Sequence, residues 1–72
     1  MKVEGSSTIK DIKHSPSKKI LTVTFTSDSV YEYTGVEKEV FNTFKVAKKK
    51  KESIGKLFAG LVKGKYEYKK LK

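Results

Sequence analysis

Cysteine, tryptophan and arginine are absent from these 72 residues, and proline and histidine occur once each. Without cysteine there is no disulfide staple and no thiolate metal site, which points to a reducing compartment. His14 has no cysteine or serine elbow to activate, no cluster of His, Cys or acidic ligands accompanies it, and no glycine-rich phosphate loop appears. The expectation is therefore a non-enzyme with no cofactor, no metal and no small-molecule substrate, and with His14 on the surface beside a turn. No apolar run approaches the about 20 residues that span a bilayer. Met1 to Thr8 also lacks the apolar stretch of a secretory signal. Both readings indicate a cytoplasmic protein without a membrane partner. Missing arginine removes the bidentate fork that reads guanine, so base-specific duplex readout is disfavoured. A lysine-rich codon bias explains the missing arginine equally well.

What is present is lysine, 17 in all, giving a net charge of +9. Residues 1–44 hold six Lys against six acids, whereas residues 45–72 hold eleven Lys against only Glu52 and Glu67. The whole excess sits in the last 28 residues, because 11 − 2 = 9. Such one-sided charge suggests an anionic partner. Hydrophobic residues make up 36%, enough for one thin core in a single domain over residues 1–72, with residues 1–5 expected as a disordered tail. A chain of this length buries only about 60% of the surface its unfolded form exposes.

The first half reads as strands. Ser6 to His14 is a weak strand around Ile9 and Ile12, followed by the turn Ser15-Pro16-Ser17-Lys18. From Ile20 to Thr26, Leu21, Val23 and Phe25 alternate with Thr22, Thr24 and Thr26, the clearest period of two in the chain. After Ser27-Asp28-Ser29 comes a third strand, Val30 to Thr34. Short strands joined by tight turns imply an antiparallel meander.

Beyond Gly35 the period becomes helical. Val40, Phe41, Phe44 and Ala47 form one stripe, with Val36 placed to staple onto Val40. Ile54, Leu57, Phe58, Leu61 and Val62 form a second, with Ser53 as N-cap and Gly64 as the C′ residue. The apolar phase runs through 40, 44, 47, 51, 54, 58 and 61 with only Lys51 out of character, so residues 37–62 fit one bent helix or two short ones. Lys65 to Leu71 returns to a strand. The fold class is α+β: a three-stranded antiparallel meander, one or two helices packed on one face, and a C-terminal strand joining the sheet. The expected core is Ile12, Leu21, Val23, Phe25, Val40, Phe44, Ile54, Leu57, Phe58 and Leu61.

Two constellations carry functional meaning. Lys48, Lys49, Lys50 and Lys51, extended by Lys45, Lys56, Lys63 and Lys65, form a candidate phosphate-tracking patch. The bland alternative is a solvated face with no partner. Tyr-Glu-Tyr occurs at Tyr31–Tyr33 and again at Tyr66–Tyr68, and alternation along a strand points both rings of each pair to one face. Such rings either form a platform for unpaired bases or pack beneath the helices with their hydroxyls at the rim. The Ile54–Leu61 helix is amphipathic, but it is needed to cover the sheet rather than free to lie on a membrane.

The ordered series Ser6-Ser7-x-Ile9-x-x-Ile12, Leu21-x-Val23-x-Phe25, Tyr31-x-Tyr33, Val36, Ala47, Ser53-x-Gly55-x-x-Phe58 and Tyr66-x-Tyr68 resembles the KTSC domain. That family is named for its place at the C-terminus of some lysyl-tRNA synthetases and also occurs alone in small bacterial and phage proteins. The resemblance covers roughly residues 5–71 and implies an RNA-binding role. This chain departs from the family's Ala-x-Ser by four additional residues after Ala47, so the lysine run is not part of the resemblance. Glu37 and Ala59 also stand where the family often has Pro and Asn. The expected function is a small nucleic-acid-binding module for RNA rather than DNA. The alternative is a protein-interaction module docking on an acidic protein, such as a phage factor on a host target.

Overall fold

The computed structural model describes residues 1–3 and 7–72. In chain order it contains β1 (Ile9–Ser15), β2 (Ile20–Phe25), β3 (Val30–Thr34), α1 (Lys38–Lys49), α2 (Ile54–Leu61) and β4 (Tyr68–Lys70). The strands form one antiparallel sheet in the order β1-β2-β3-β4. The α+β meander is therefore as expected, and the C-terminal strand closes the sheet by pairing Tyr68 with Tyr33 and Lys70 with Tyr31.

The hairpins are tight because non-glycine residues accept positive φ at two points. Lys19 (φ 55) ends the Pro16–Lys19 turn, and Asp28 (φ 68) ends the Thr26–Asp28 turn. In the second, the Phe25 N–H donates to the Ser29 carbonyl and the Asp28 N–H to the Phe25 carbonyl, each at 2.9 Å. This is the three-residue hairpin loop whose last position favours Gly, Asn or Asp.

Ile9 and Ile12 are three apart, which a regular strand would send to opposite faces. The register shifts between Ile9 and Asp11, where Ile9 faces Phe25 but Asp11 faces Thr24. The extra residue, Lys10, is a bulge, and it lets both isoleucines point inward at 0% exposure. The helices cover this face of the sheet. Of the expected core, Ile12, Leu21, Val23, Phe44, Ile54 and Phe58 are buried. Phe25, Val40, Leu57 and Leu61 are only partly buried and pack around that centre. Val3, Ile9, Tyr33, Val36, Ala47 and Val62 complete it.

Residues 37–62 form two helices. Continuing α1 would have carried Lys51 into the buried stripe. Instead Lys51 adopts φ 61, its N–H donates to the Lys48 carbonyl at 3.1 Å, and the Glu52 N–H reaches the Ala47 carbonyl at 2.8 Å. This is a Schellman closure with lysine in the position usually held by glycine. Lys48 and Lys49 in the last turn complement the helix dipole. Ser53 then caps α2 as expected, its hydroxyl accepting from the Lys56 N–H at 3.4 Å. Gly64 takes positive φ (77), but the C-cap is Val62, so C′ is Lys63 and Gly64 stands one position beyond its expected place.

Two expectations are corrected. His14 is not a free surface residue: its Nε2 N–H donates to the Val36 carbonyl at 2.8 Å, and its ring stacks on Phe41 at 5.5 Å. Residues 1–3 do not form a disordered tail. They run antiparallel to β1, with the Val3 N–H on the Lys10 carbonyl and the Ile12 N–H on the Met1 carbonyl, and the terminal ammonium lies 3.5 Å from Asp11. The apolar side chain of Val3 supplies the reason, since it is 8% exposed. The rest of that expected tail, Glu4 and Gly5, and the expected strand start at Ser6 lie outside the described residues.

The left-handed lysine yields a stability prediction. Lys51→Gly relieves the steric cost of positive φ and should stabilise the fold by about 0.5–1 kcal/mol, net of the entropy gained by the unfolded chain. Lys51→Val, branched at Cβ, should destabilise it. Urea unfolding followed by circular dichroism reads both.

Candidate nucleic-acid interface

The inner face of the sheet is built from residues paired across strands. Leu21 lies opposite Tyr33, Val23 opposite Tyr31, and Tyr33 opposite Tyr68. Direct pairing places these side chains on one face, and that face becomes aromatic toward β4. The Tyr31 and Tyr33 rings lie 20° from parallel with centroids 6.4 Å apart. Tyr68 tilts over both, at 5.4 Å from Tyr31 and 5.6 Å from Tyr33. Phe58 reaches in from α2 and meets Tyr33 edge-on at 5.5 Å and Phe25 edge-on at 5.7 Å. Phe25 in turn meets Tyr31 edge-on at 5.3 Å.

Exposure grades across the cluster. Tyr33 is 5% exposed, Tyr31 is half-buried, and Tyr68 is 62% exposed. Between the sheet and α2 the rings border an open cleft of about 630 Å³, which Lys63 also lines. The first tyrosine pair is thus split in exposure, with Tyr33 in the core and Tyr31 half-buried, while both border the cleft. The second pair does not act as a pair. Tyr66 precedes β4 and packs against the core, and only Tyr68 joins the cluster. The reason is local: β4 begins at Tyr68, so Tyr66 belongs to the turn that leaves α2.

The eight expected lysines are distributed over α1, the link, α2 and the segment that follows it. All are exposed. The Lys45 ammonium sits 5.7 Å from the Phe41 centroid, at the His14 end of α1. Lys48 and Lys49 end α1, Lys50 is its C-cap, and Lys51 begins the link to α2. Lys50 lines a shallow groove of about 380 Å³ with Val46 and Leu57. Lys56 lies in the first turn of α2, and Lys65 follows that helix. Lys63 alone of the eight lines the aromatic cleft. Phe25 and Phe58 were expected only as core, and the hydroxyl side chains bordering the cleft were not expected at a site, although Thr26-Ser27-Asp28-Ser29 beside two aromatic strands was a signal for them.

The ion pairs divide the charge sharply. Those formed join Met1 to Asp11, Lys10 to Asp28 and Lys19 to Glu37, all within residues 1–44. Among the described residues none of the eleven lysines from Lys45 onward has an ion-pair partner. No group of three or more His, Cys, Asp or Glu that could hold a metal occurs among the described residues, and no helix there is long and apolar enough to cross a membrane.

Residues 5–66 match the family profile of the KTSC domain. The chain belongs to the KTSC domain family. A crystal structure of a KTSC domain protein from Yersinia pestis is similar to it with a TM-score of 0.87 at 30% sequence identity, covering 100% of this chain and 94% of that one. A comparison with curated proteins gave no match. In this KTSC domain the family match stops at Tyr66, so Tyr68, the most exposed ring of the cleft, lies beyond it.

Burial, and then the neighbouring Tyr31 and Tyr68, push the Tyr33 hydroxyl above the usual 10.0. A raised folded-state value means the folded protein holds this proton when the unfolded chain has lost it. The stability involved is full below pH 10 and is lost as pH rises through the raised value. Near-ultraviolet titration should show a tyrosine ionisation displaced above 10.0, and this step should vanish in Tyr33→Phe. Urea unfolding should also lose less stability above pH 10 in that variant than in the parent protein.

Proposed function

We propose that this KTSC domain is a non-catalytic cytoplasmic module that binds single-stranded nucleic acid, RNA in preference to DNA. The observation that carries the reading is the joining of Tyr31, Tyr33 and Tyr68 at one open cleft with Lys63 at its edge. Aromatic faces accept unpaired bases of any identity, at about 1–3 kcal/mol per base, and lysines hold phosphates as point charges. The surplus of lysine beyond residue 44 supplies the sequence-independent attraction. The family's occurrence beside a tRNA synthetase supports RNA over DNA.

A protein partner is the second reading, favoured by one observation. Val46, 51% exposed, lines the groove between α1 and α2 with Leu57, Lys50 and Glu52, a small apolar patch with charged neighbours of the kind protein interfaces use.

Fluorescence anisotropy of labelled single-stranded RNA across a salt series tests the proposal. Log affinity should fall with log salt at a slope of about −0.7 per phosphate contact. Replacing Lys48–Lys51 by alanine should flatten that slope, and duplex RNA or DNA should bind more weakly. An absence of binding near physiological salt, with an acidic protein captured instead, would transfer the function to the groove.

A further inference from the structure

We infer that the aromatic cleft is a pocket for one nucleoside monophosphate unit, with separate walls for base, sugar and phosphate. This rests on the nucleic-acid reading for its source, an unpaired nucleotide in a strand, and a free mononucleotide presents the same chemistry. The base wall is Tyr31 and Tyr68 against the buried Tyr33. Tyr68 touches its neighbours at 5.4 and 5.6 Å yet stays 62% exposed, so much of its surface is open to a stacking partner.

Another part of the lining is polar. Ser7, Thr8, Thr26, Ser27 and Ser29 line it and are held in place by the β2–β3 turn. There the Thr26 hydroxyl donates to the Ser7 carbonyl at 3.0 Å and the Ser27 hydroxyl to Ser29 at 3.3 Å. Hydroxyl groups both give and accept hydrogen bonds, as ribose hydroxyls require. Among the described residues Lys63 is the one charged side chain that lines the cleft, which matches one phosphate. A volume of about 630 Å³ lies in the range of small-ligand sites. Ala59, Gly55 and Gly64 line the helix side, where small or absent side chains keep the cleft open.

Amide-resolved NMR during titration with adenosine monophosphate and with adenosine provides the test, alongside RNA carrying a single abasic position. Adenosine monophosphate should shift the amides of Gly55, Gly64 and Tyr68, and adenosine should bind about tenfold more weakly for want of a phosphate. Tyr68→Ala should weaken the nucleotide by about tenfold or more. Ala59→Leu, which fills the cleft on an exposed helical position without changing charge, should do the same while leaving the remaining spectrum folded. An abasic site at the engaged position should reduce RNA affinity to a similar degree. If no cleft amide moves at millimolar nucleotide and the abasic RNA binds like its parent, the pocket is overturned even though salt-dependent RNA binding stands. If the nucleotide fills the cleft but RNA chains bind no more tightly than the monophosphate, the pocket stands and the single-strand reading falls.

Discussion

A lysine cannot enter a core this thin, and the arrangement of the helices follows from that constraint. Position 51 falls on the apolar phase linking α1 to α2, and a buried unpaired ammonium would cost several kcal/mol. The backbone instead turns left-handed at Lys51 (φ 61), which places the charge in solvent and starts a new helix at Ile54. The reset lets α2 bring Phe58 edge-on to both Phe25 and Tyr33. The cleft lies between that helix and the β3–β4 end of the sheet, so the geometry of the candidate site descends from one excluded charge.

Electrostatics and packing divide the molecule along the same line. The meander compensates its charges locally, by pairs such as Lys10–Asp28 and Lys19–Glu37 at 3.2 Å. These pairs are exposed and add little stability, but they leave the meander close to neutral. Among the described residues the lysines from Lys45 onward receive no such compensation. They point outward because the inward positions belong to Phe44, Ala47, Ile54, Phe58 and Val62. The KTSC family frame accounts for the apolar positions, whereas the four-lysine run spans the exposed last turn of α1 and the start of the link to α2, where added residues do not disturb the core.

His14 shows how a polar residue serves the fold rather than a reaction. Its bond to the Val36 carbonyl ties β1 to the segment that leaves β3, and its stacking on Phe41 ties the same strand to α1. The ring therefore ties β1 to the stretch that leads into and opens α1, 22 to 27 residues further along the chain. Reading it as a surface residue followed from its neighbours in the chain, which are polar. Its partners are supplied by residues 22 and 27 positions later, which no local pattern reveals.

Sequence alone determined what depends on local periodicity and composition. These include the alternation of β2, the two helical stripes, the Ser53 cap, the antiparallel order of the first three strands and the confinement of surplus charge to the last 28 residues. It also placed the tyrosines of β3 on one face, since alternation fixes that within a strand. Only the tertiary structure decided which tyrosines meet. Tyr68 reaches Tyr31 and Tyr33 because the register between β3 and β4 sets it opposite Tyr33, and Tyr66 is left out because the strand starts two residues later. It likewise decided that Ile9 faces inward, through a bulge at Lys10 that breaks the period of two. It also decided that Lys63, rather than the conspicuous run at Lys48–Lys51, stands at the cleft. Register, bulges and helix placement are settled by contacts between distant segments competing for one buried face, and a pattern read along the chain does not contain that competition.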